Sequence, residues 1–349
     1  MNPLPERQRL ILKETVDRYI RHREPVSSRM ILEEYGLNVS SATVRNDMND
    51  LEASGYIQKP YSSSGRIPTK QGYRFFVDWL LDLSELTREE RLEIVETYAA
   101  QCLDVEDTIR QTAFLLGSMT GGAAFVIPPR PEGMRLDRVA LVKMTPQLAY
   151  LVIVSDIGVV EHGLVPLEID LSADDIARIT GLINDNLRGV HLSEIRSLSV
   201  EEDPEGWYER PVQEAMSVLG QLLGRRLHRP VQFDGLFNLA DALNSGPADH
   251  VIDQFTQLGR SLRDEPSFVA AVSEARDGRE EIVVNIGDIP LAGLEDLSVV
   301  SCSYRPHAGV LGVIGPLWMD YGRILSATRY ISSRLETLLL SSCTQYNEG

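Results

Sequence analysis

The chain has 349 residues, 43% of them hydrophobic and 24% charged, which is the composition of a folded protein of two or three domains and not of a disordered one. No apolar run approaches the ~18 residues of a membrane span. The N-terminal MNPLPERQRL carries charges and prolines where a signal peptide has its apolar stretch, so a cytoplasmic protein is expected.

The formal charge of −17 argues at first against a polyanionic partner, but it is unevenly placed. Residues 1–80 hold three Lys and nine Arg against ten Asp plus Glu, a net of +2, leaving −19 on the remainder. Arginine pairs bidentately with guanine edges and phosphates. A module of only +2 predicts weak nonspecific affinity, with discrimination resting on a few contacts. Cys102, Cys302 and Cys343 lie far apart with no CxxC pair. They read as buried or idle thiols, and neither metal nor cofactor is expected.

Taken in chain order, Leu10, Ile11, Val16, Tyr19 and Ile20 trace a helical stripe between Glu6 and His22, ended by Glu24-Pro25. Ser27 or Ser28 can cap a second short helix carrying Met30, Ile31, Leu32 and Tyr35, which Gly36 closes. The next cap, Ser40 or Ser41, comes within three or four residues. This is helix-turn-helix spacing. In SSATVRNDMNDLEASG, Val44, Met48 and Leu51 fall at i, i+4 and i+7 and form one buried stripe, leaving Ser41, Thr43, Arg45, Asn46 and Asn49 on the opposite face. A recognition helix enters the major groove by its N-terminal end, where Arg reads guanine, Asn reads adenine and the helix terminus favours phosphate.

The same polar face would suit any solvated amphipathic helix, and the next segment separates the two cases. Tyr56–Lys59 reads as a strand, Ser62-Ser63-Ser64-Gly65 as a turn and Arg66-Ile67 as the returning strand, the layout of a wing. Arg45, Asn46 and Asn49 are the candidates for base edges, and Ser41 and Thr43 for phosphates. Arg66 and Lys70 are expected to anchor the wing on the backbone or in the minor groove. Thr69 caps a helix bearing Tyr73, Phe76, Val77 and Leu80 that can close the small core.

Thr87 to Glu90 is a capping box opening another helix, and Val105 to Met119 forms the next, stopped by Gly121-Gly122. Strands come next in AAFVIPP, LDRVALVKMT and LAYLVIVSDIGVVEHGLV, the last interrupted at Asp156–Gly158. From Ser172 the pattern turns helical, with Ile176, Ile179 and Ile183 on one face, then helices near Val212–Leu227 and Ala248–Leu262. Strands resume in EEIVVNIGD, VVSCSYR and GVLGVIGP before a final helix from about Asp320 to Leu340. Strands, helices and strands again indicate an α+β region with a helical insertion. It contains no GxSxG, P-loop, HExxH or dinucleotide fingerprint, and His162, His191, His228, His250 and His307 are scattered. Asp174-Asp175 reads as a helix cap region and Glu201-Glu202 as a solvated loop. An enzyme is not expected.

The run EPVSSRMILEEYGLNVSSATVRNDMNDLEASGYIQKPYSSSGRIPTKQGYRFFVD closely resembles the N-terminal module of the HrcA family, heat-inducible transcription repressors of bacteria. GVLGVIGPLWMDYGRILSATRYISSRL resembles the family's C-terminal block, and PVQFDGLFNLAD matches more loosely. The resemblance implies a winged helix over 1–82, a GAF-like domain over 83–169 and 276–349, and an inserted dimerisation domain over 170–275. It further implies a homodimer on an inverted-repeat operator in double-stranded DNA upstream of chaperone genes. Repression would be lost on heat shock, and a GroE-type chaperonin would be a partner. GAF-like domains elsewhere hold small ligands, so a small-molecule-responsive repressor is the rival expectation.

Overall fold

The computed structural model describes residues 4–35, 39–60, 65–101, 104–129, 133–195, 209–226, 230–243, 248–274, 282–287, 289–291, 297–304 and 309–345. Gly36, the wing tip at Ser62–Ser64, Cys102, Glu201-Glu202, His228 and His307 lie outside them.

The first helices form where amphipathic stripes and caps coincide. α1 (Glu6–His22), α2 (Ser28–Tyr35) and α3 (Ser41–Ala53) pack through Ile11, Leu12, Val16, Ile31, Val44, Met48 and Leu51, all fully buried. The expected stripe of α3 is therefore its core face. Ser40 caps α3 by accepting the Thr43 N–H at 3.1 Å. β1 (Ile57–Gln58) and β2 (Ile67–Pro68) pair antiparallel, and Val26 and Arg66 add a bridge through two reciprocal backbone bonds of 2.8 Å. Thr69 caps α4 (Lys70–Phe75) by accepting the Gly72 N–H at 3.1 Å, and a wider turn over Phe76–Leu80 prolongs it. Gly72 is required here, since a Cβ would sit 2.1 Å from the Tyr56 carbonyl oxygen.

Beyond a linker, α5 (Arg88–Gln101) opens on the Thr87–Glu90 capping box and α6 (Val105–Thr120) ends at Gly121 in the left-handed conformation. β3 (Ala123–Ile127) then enters a five-stranded sheet, while β4 (Leu136–Thr145), β5 (Leu148–Ser155) and β6 (Val160–Pro166) form an antiparallel sheet of their own. α7 (Ala173–Leu187) and α8 (Glu209–Arg226) cover one face of that smaller sheet. Leu222 packs where any side chain at Gly163 would stand, its Cδ1 2.8 Å from an added Cβ. Asn184 of α7 also closes the free edge of β4, accepting the Val139 N–H at 2.7 Å and donating to its carbonyl at 2.8 Å.

The chain then returns to the larger sheet with β7 (Gln232–Asp234), α9 (Leu236–Leu243), α10 (Ala248–Arg263) and α11 (Glu265–Glu274). β8 (Ile282–Ile286), β9 (Leu297–Tyr304) and β10 (Gly309–Pro316) complete the order β7-β3-β10-β9-β8. Its two faces bury different residues. Phe125, Val299 and Ile314 meet Leu239, Leu258 and Phe268 of α9–α11, whereas Val126, Val300, Leu311 and Val313 face α6 and α12 (Tyr321–Gln345).

The α+β architecture is as expected, and within it the strands fall into two larger sheets besides the wing. β4–β6 belong with α7 and α8, outside the five-stranded sheet, and α10 and α11 belong to that sheet's cover. The reason is that strand pairing is non-local: β3 pairs with β7 and β10, not with the next strand in the chain. The excursion from the large sheet thus begins before β4 and ends before β7. Cys302 is buried on β9, its Sγ 3.4 Å from the Ser332 hydroxyl.

Candidate nucleic-acid interface

α3 is held from behind. Asp47 falls at i+3 from Val44, on the buried stripe, and is only 5% exposed. A buried carboxylate needs a partner. Arg7 of α1 supplies one, with bonds of 2.6 and 3.1 Å to its two oxygens. Periodicity and motif do not name this pair, although a charge on an apolar stripe is the signal that reveals it.

The outward face carries the expected polar groups in distinct states. Ser41, Arg45, Asn46 and Asn49 are exposed, and Thr43 is half-buried. The Ser41 hydroxyl lies 3.4 Å from that of Ser28, and the Thr43 hydroxyl 2.9 Å from that of Ser40. Because the Ser40 cap also takes the Thr43 N–H, the first turn offers a phosphate fewer free donors than an uncapped helix would. Asn46 makes no hydrogen bond among the described residues.

Arg45 stands apart for a reason of charge. Of the twelve Lys and Arg in residues 1–80, the other eleven have a carboxylate, carbonyl or amide partner. Arg45 has none among the described residues, and it projects from the second turn of α3. An unpaired, solvated guanidinium keeps its charge and its five donors for an external acceptor.

The two expected wing anchors are differently placed. Arg66 is 7% exposed, not free at the wing base. Its guanidinium donates to Glu52 at 3.1 Å and to the side-chain oxygen of Asn49, while Lys59 pairs with the same Glu52 at 3.4 Å. Lys70 reaches the larger sheet. Its ammonium donates to the Gly287 carbonyl at 3.0 Å, next to β8. The physical reason is proximity: a Cβ on Gly287 would lie 2.6 Å from the Lys70 side chain, so the two backbones meet with that chain between them.

Lys70 belongs to a row of contacts between the winged helix and the larger sheet. Arg74 donates to the Val284 carbonyl at 2.6 Å. Arg23 closes α1 in the left-handed conformation, φ 60°, and donates to the Trp318 carbonyl at 2.6 Å. Its guanidinium also lies 5.5 Å from the Trp318 ring centroid, a cation–π contact. Beside this row a cavity of about 240 Å³ is lined by Lys13, Asp17, Arg21, Asp82, Asp320 and Tyr321. Burial pushes the Asp17 carboxyl up to about 6. Glu14 and Asp320 add to the rise, and Lys13 and Arg21 oppose it.

A helix-turn-helix, a two-stranded wing and an outward helix face with one free arginine are the parts of a DNA-binding module. Residues 3–78 match the family model for the winged helix-turn-helix transcription repressor HrcA, DNA-binding, and residues 106–325 match that for the HrcA protein C-terminal domain. The chain belongs to the HrcA family. Heat-inducible transcription repressors HrcA of Pelotomaculum thermopropionicum and Halalkalibacterium halodurans are each 32% identical to it. Those matches cover 96% of the chain and 97% and 98% of the relatives. A crystal structure described as a hypothetical protein at 2.2 Å resolution superposes with a TM-score of 0.68 at 26% identity, over 97% of this chain and 100% of that one. This HrcA-family chain is thus a transcription repressor with a winged-helix DNA-binding domain. No helix among its described residues is long and apolar enough to cross a membrane.

Proposed function

We propose that the chain represses chaperone genes as a homodimer, placing two α3 helices in the major grooves of an inverted-repeat operator and releasing it on heat shock. Arg45 on the outward face of α3, unpaired among the described residues, is the observation that carries the DNA reading. Arg45, Asn46 and Asn49 face base edges, Ser41 and Thr43 lie toward the backbone, and the symmetry of the operator mirrors a two-fold axis in the protein.

The dimer reading is supported by a face of the small sheet that is exposed among the described residues. Cross-strand rows Val142–Tyr150–Leu164 and Arg138–Val154–Val160 lie on the side opposite α7 and α8, and Val142, Met144 and Leu164 are each more than half exposed. Exposed apolar area of this extent on a sheet suits a self-complementary contact with a second copy. Leu164→Asp, which touches no described core contact, is expected to shift the protein to monomer in sedimentation and to weaken operator binding at a given concentration.

The heat response fits a fold whose native state is separated from the unfolded ensemble by only about 5–15 kcal/mol, with like charge on the acidic −19 portion adding repulsion. A GroE-type chaperonin would restore the binding-competent state. A titration of an inverted-repeat duplex between growth and heat-shock temperature, with and without chaperonin, tests this. Loss of binding on heating and its recovery with chaperonin are expected. Release by a small molecule alone, with no effect of temperature, would refute it.

A further inference from the structure

The amide of Asn49 has its two ends in different environments. Its oxygen meets the guanidinium of Arg66, and its nitrogen has no partner among the described residues. The assignment follows from chemistry: a guanidinium has donors only, so the end of the amide that faces it must be the carbonyl. Arg66 is in turn fixed on two sides. Its backbone exchanges both bonds with Val26 at 2.8 Å, and its head is held by Glu52, leaving it 7% exposed. A buried, paired cation therefore faces the oxygen end of an exposed amide on the outward face of α3.

We propose that Arg66 is a specificity-determining positioning residue, which presents Asn49 to DNA nitrogen-first, as a hydrogen-bond donor. This rests on the reading of α3 as the helix that faces DNA. Adenine takes an asparagine through an amide whose nitrogen and oxygen lie side by side toward N7 and N6. With its oxygen turned to Arg66, Asn49 does not offer that edge. It offers donors only, which suits the two acceptors O6 and N7 of guanine better than the single O4 of thymine, or else a phosphate oxygen. Arg66 thereby acts on DNA recognition from a buried position, through another residue. The wing base and the recognition helix form one unit.

The test uses the full-length chain and a duplex library randomised over the bound region, with base preference read at each position. Asn49→Ala identifies the position that Asn49 governs. Guanine is expected there in the wild type, and Arg66→Met, which frees the amide to rotate, should shift the preference toward adenine by about tenfold. Arg66→Lys keeps a donor-only neighbour and should retain guanine. If Asn49 holds a phosphate instead, Asn49→Ala should weaken all sequences alike. Arg66→Met should then reproduce that uniform loss, and Arg66→Lys should not. Adenine preferred at that position in the wild type would overturn the proposal, a result that requires no Arg66 variant to fold. So would an unchanged preference in Arg66→Met, or an Asn49→Ala variant with neither effect. Arg45→Ala separates the two levels. If it loses base preference while Asn49→Ala is silent, only the Arg66 assignment falls; if both are silent, the reading of α3 itself fails.

Discussion

Two faces of the winged helix treat their cations in opposite ways. On the outward side of α3, Arg45 is exposed and unpaired among the described residues. Toward the second domain, Arg23, Lys70 and Arg74 each donate to a backbone carbonyl, of Trp318, Gly287 and Val284. β8 is an edge strand of the five-stranded sheet, and its outward carbonyls need donors. The difference shows that a net charge of +2 is not the field that DNA meets. Most of these cations have a partner within the protein, and the arginine that remains lies on the outward face of α3.

The largest effect expected from this contrast is on Arg45. Arg45→Ala should cost about 1–3 kcal/mol of operator binding, with a much smaller loss on random duplex. Fluorescence anisotropy on both probes measures it. Equal losses on the two would count against base contact and leave only a general electrostatic role.

Arg23 probes the other face. Arg23→Met removes the bond to the Trp318 carbonyl and the cation–π contact with its ring, a combined loss of roughly 1–2 kcal/mol for partly exposed groups. Thermal unfolding should show the winged helix melting earlier. Discrimination between operator and random DNA should persist, because α3 keeps its Arg7–Asp47 lock. If discrimination falls with stability, the two faces are coupled more tightly than their separate contacts indicate.

These contrasts also mark what can be read in the sequence. The bounds of α1 and β4 follow from local signals, a helical stripe over Glu6–His22 and alternation over Leu136–Thr145, and both elements form there. The outward face of α3 is legible because Val44, Met48 and Leu51 fix the buried side and so its opposite. The partner of Lys70 is 217 residues away, and no periodicity reports it. Arg66 lies beside a turn in sequence, which suggests exposure. Only the fold of the wing onto α3 brings it against Asn49 and Glu52. The limits of the small sheet escape the sequence for the same reason, since consecutive strands need not share a sheet.

A smaller effect is expected from pH. Asp17 is raised from 3.8 to about 6 by burial, with Glu14 and Asp320 of like charge nearby. A carboxyl whose folded pKa exceeds its unfolded value binds more protons when folded, so stability falls as pH rises through the window from about 4 to 6. The penalty is complete above about 6 and relieved below about 4. Because Asp17 is partly solvated, the effect should be of order 1 kcal/mol after screening. Melting temperatures of the wild type should drop across that window more than those of Asp17→Asn. Equal slopes would place the charge strain elsewhere at the boundary.

The smallest effect on DNA is expected from Lys70, and it sharpens the comparison most. A lysine on phosphate contributes about one unit to the slope of log affinity against log salt. A lysine whose ammonium is bonded to the Gly287 carbonyl, with its stem packed between two backbones, contributes only through distant charge, screened beyond about 10 Å at 0.1 M salt. Lys70→Met should therefore leave the salt slope almost unchanged while loosening the contact with β8, visible as faster amide exchange along Ile282–Ile286. A slope reduced by a full unit would mean that Lys70 leaves the carbonyl for a phosphate when DNA arrives. The bond to Gly287 would then be one that operator binding must break, and the two faces of the winged helix would be alternatives for the same cation.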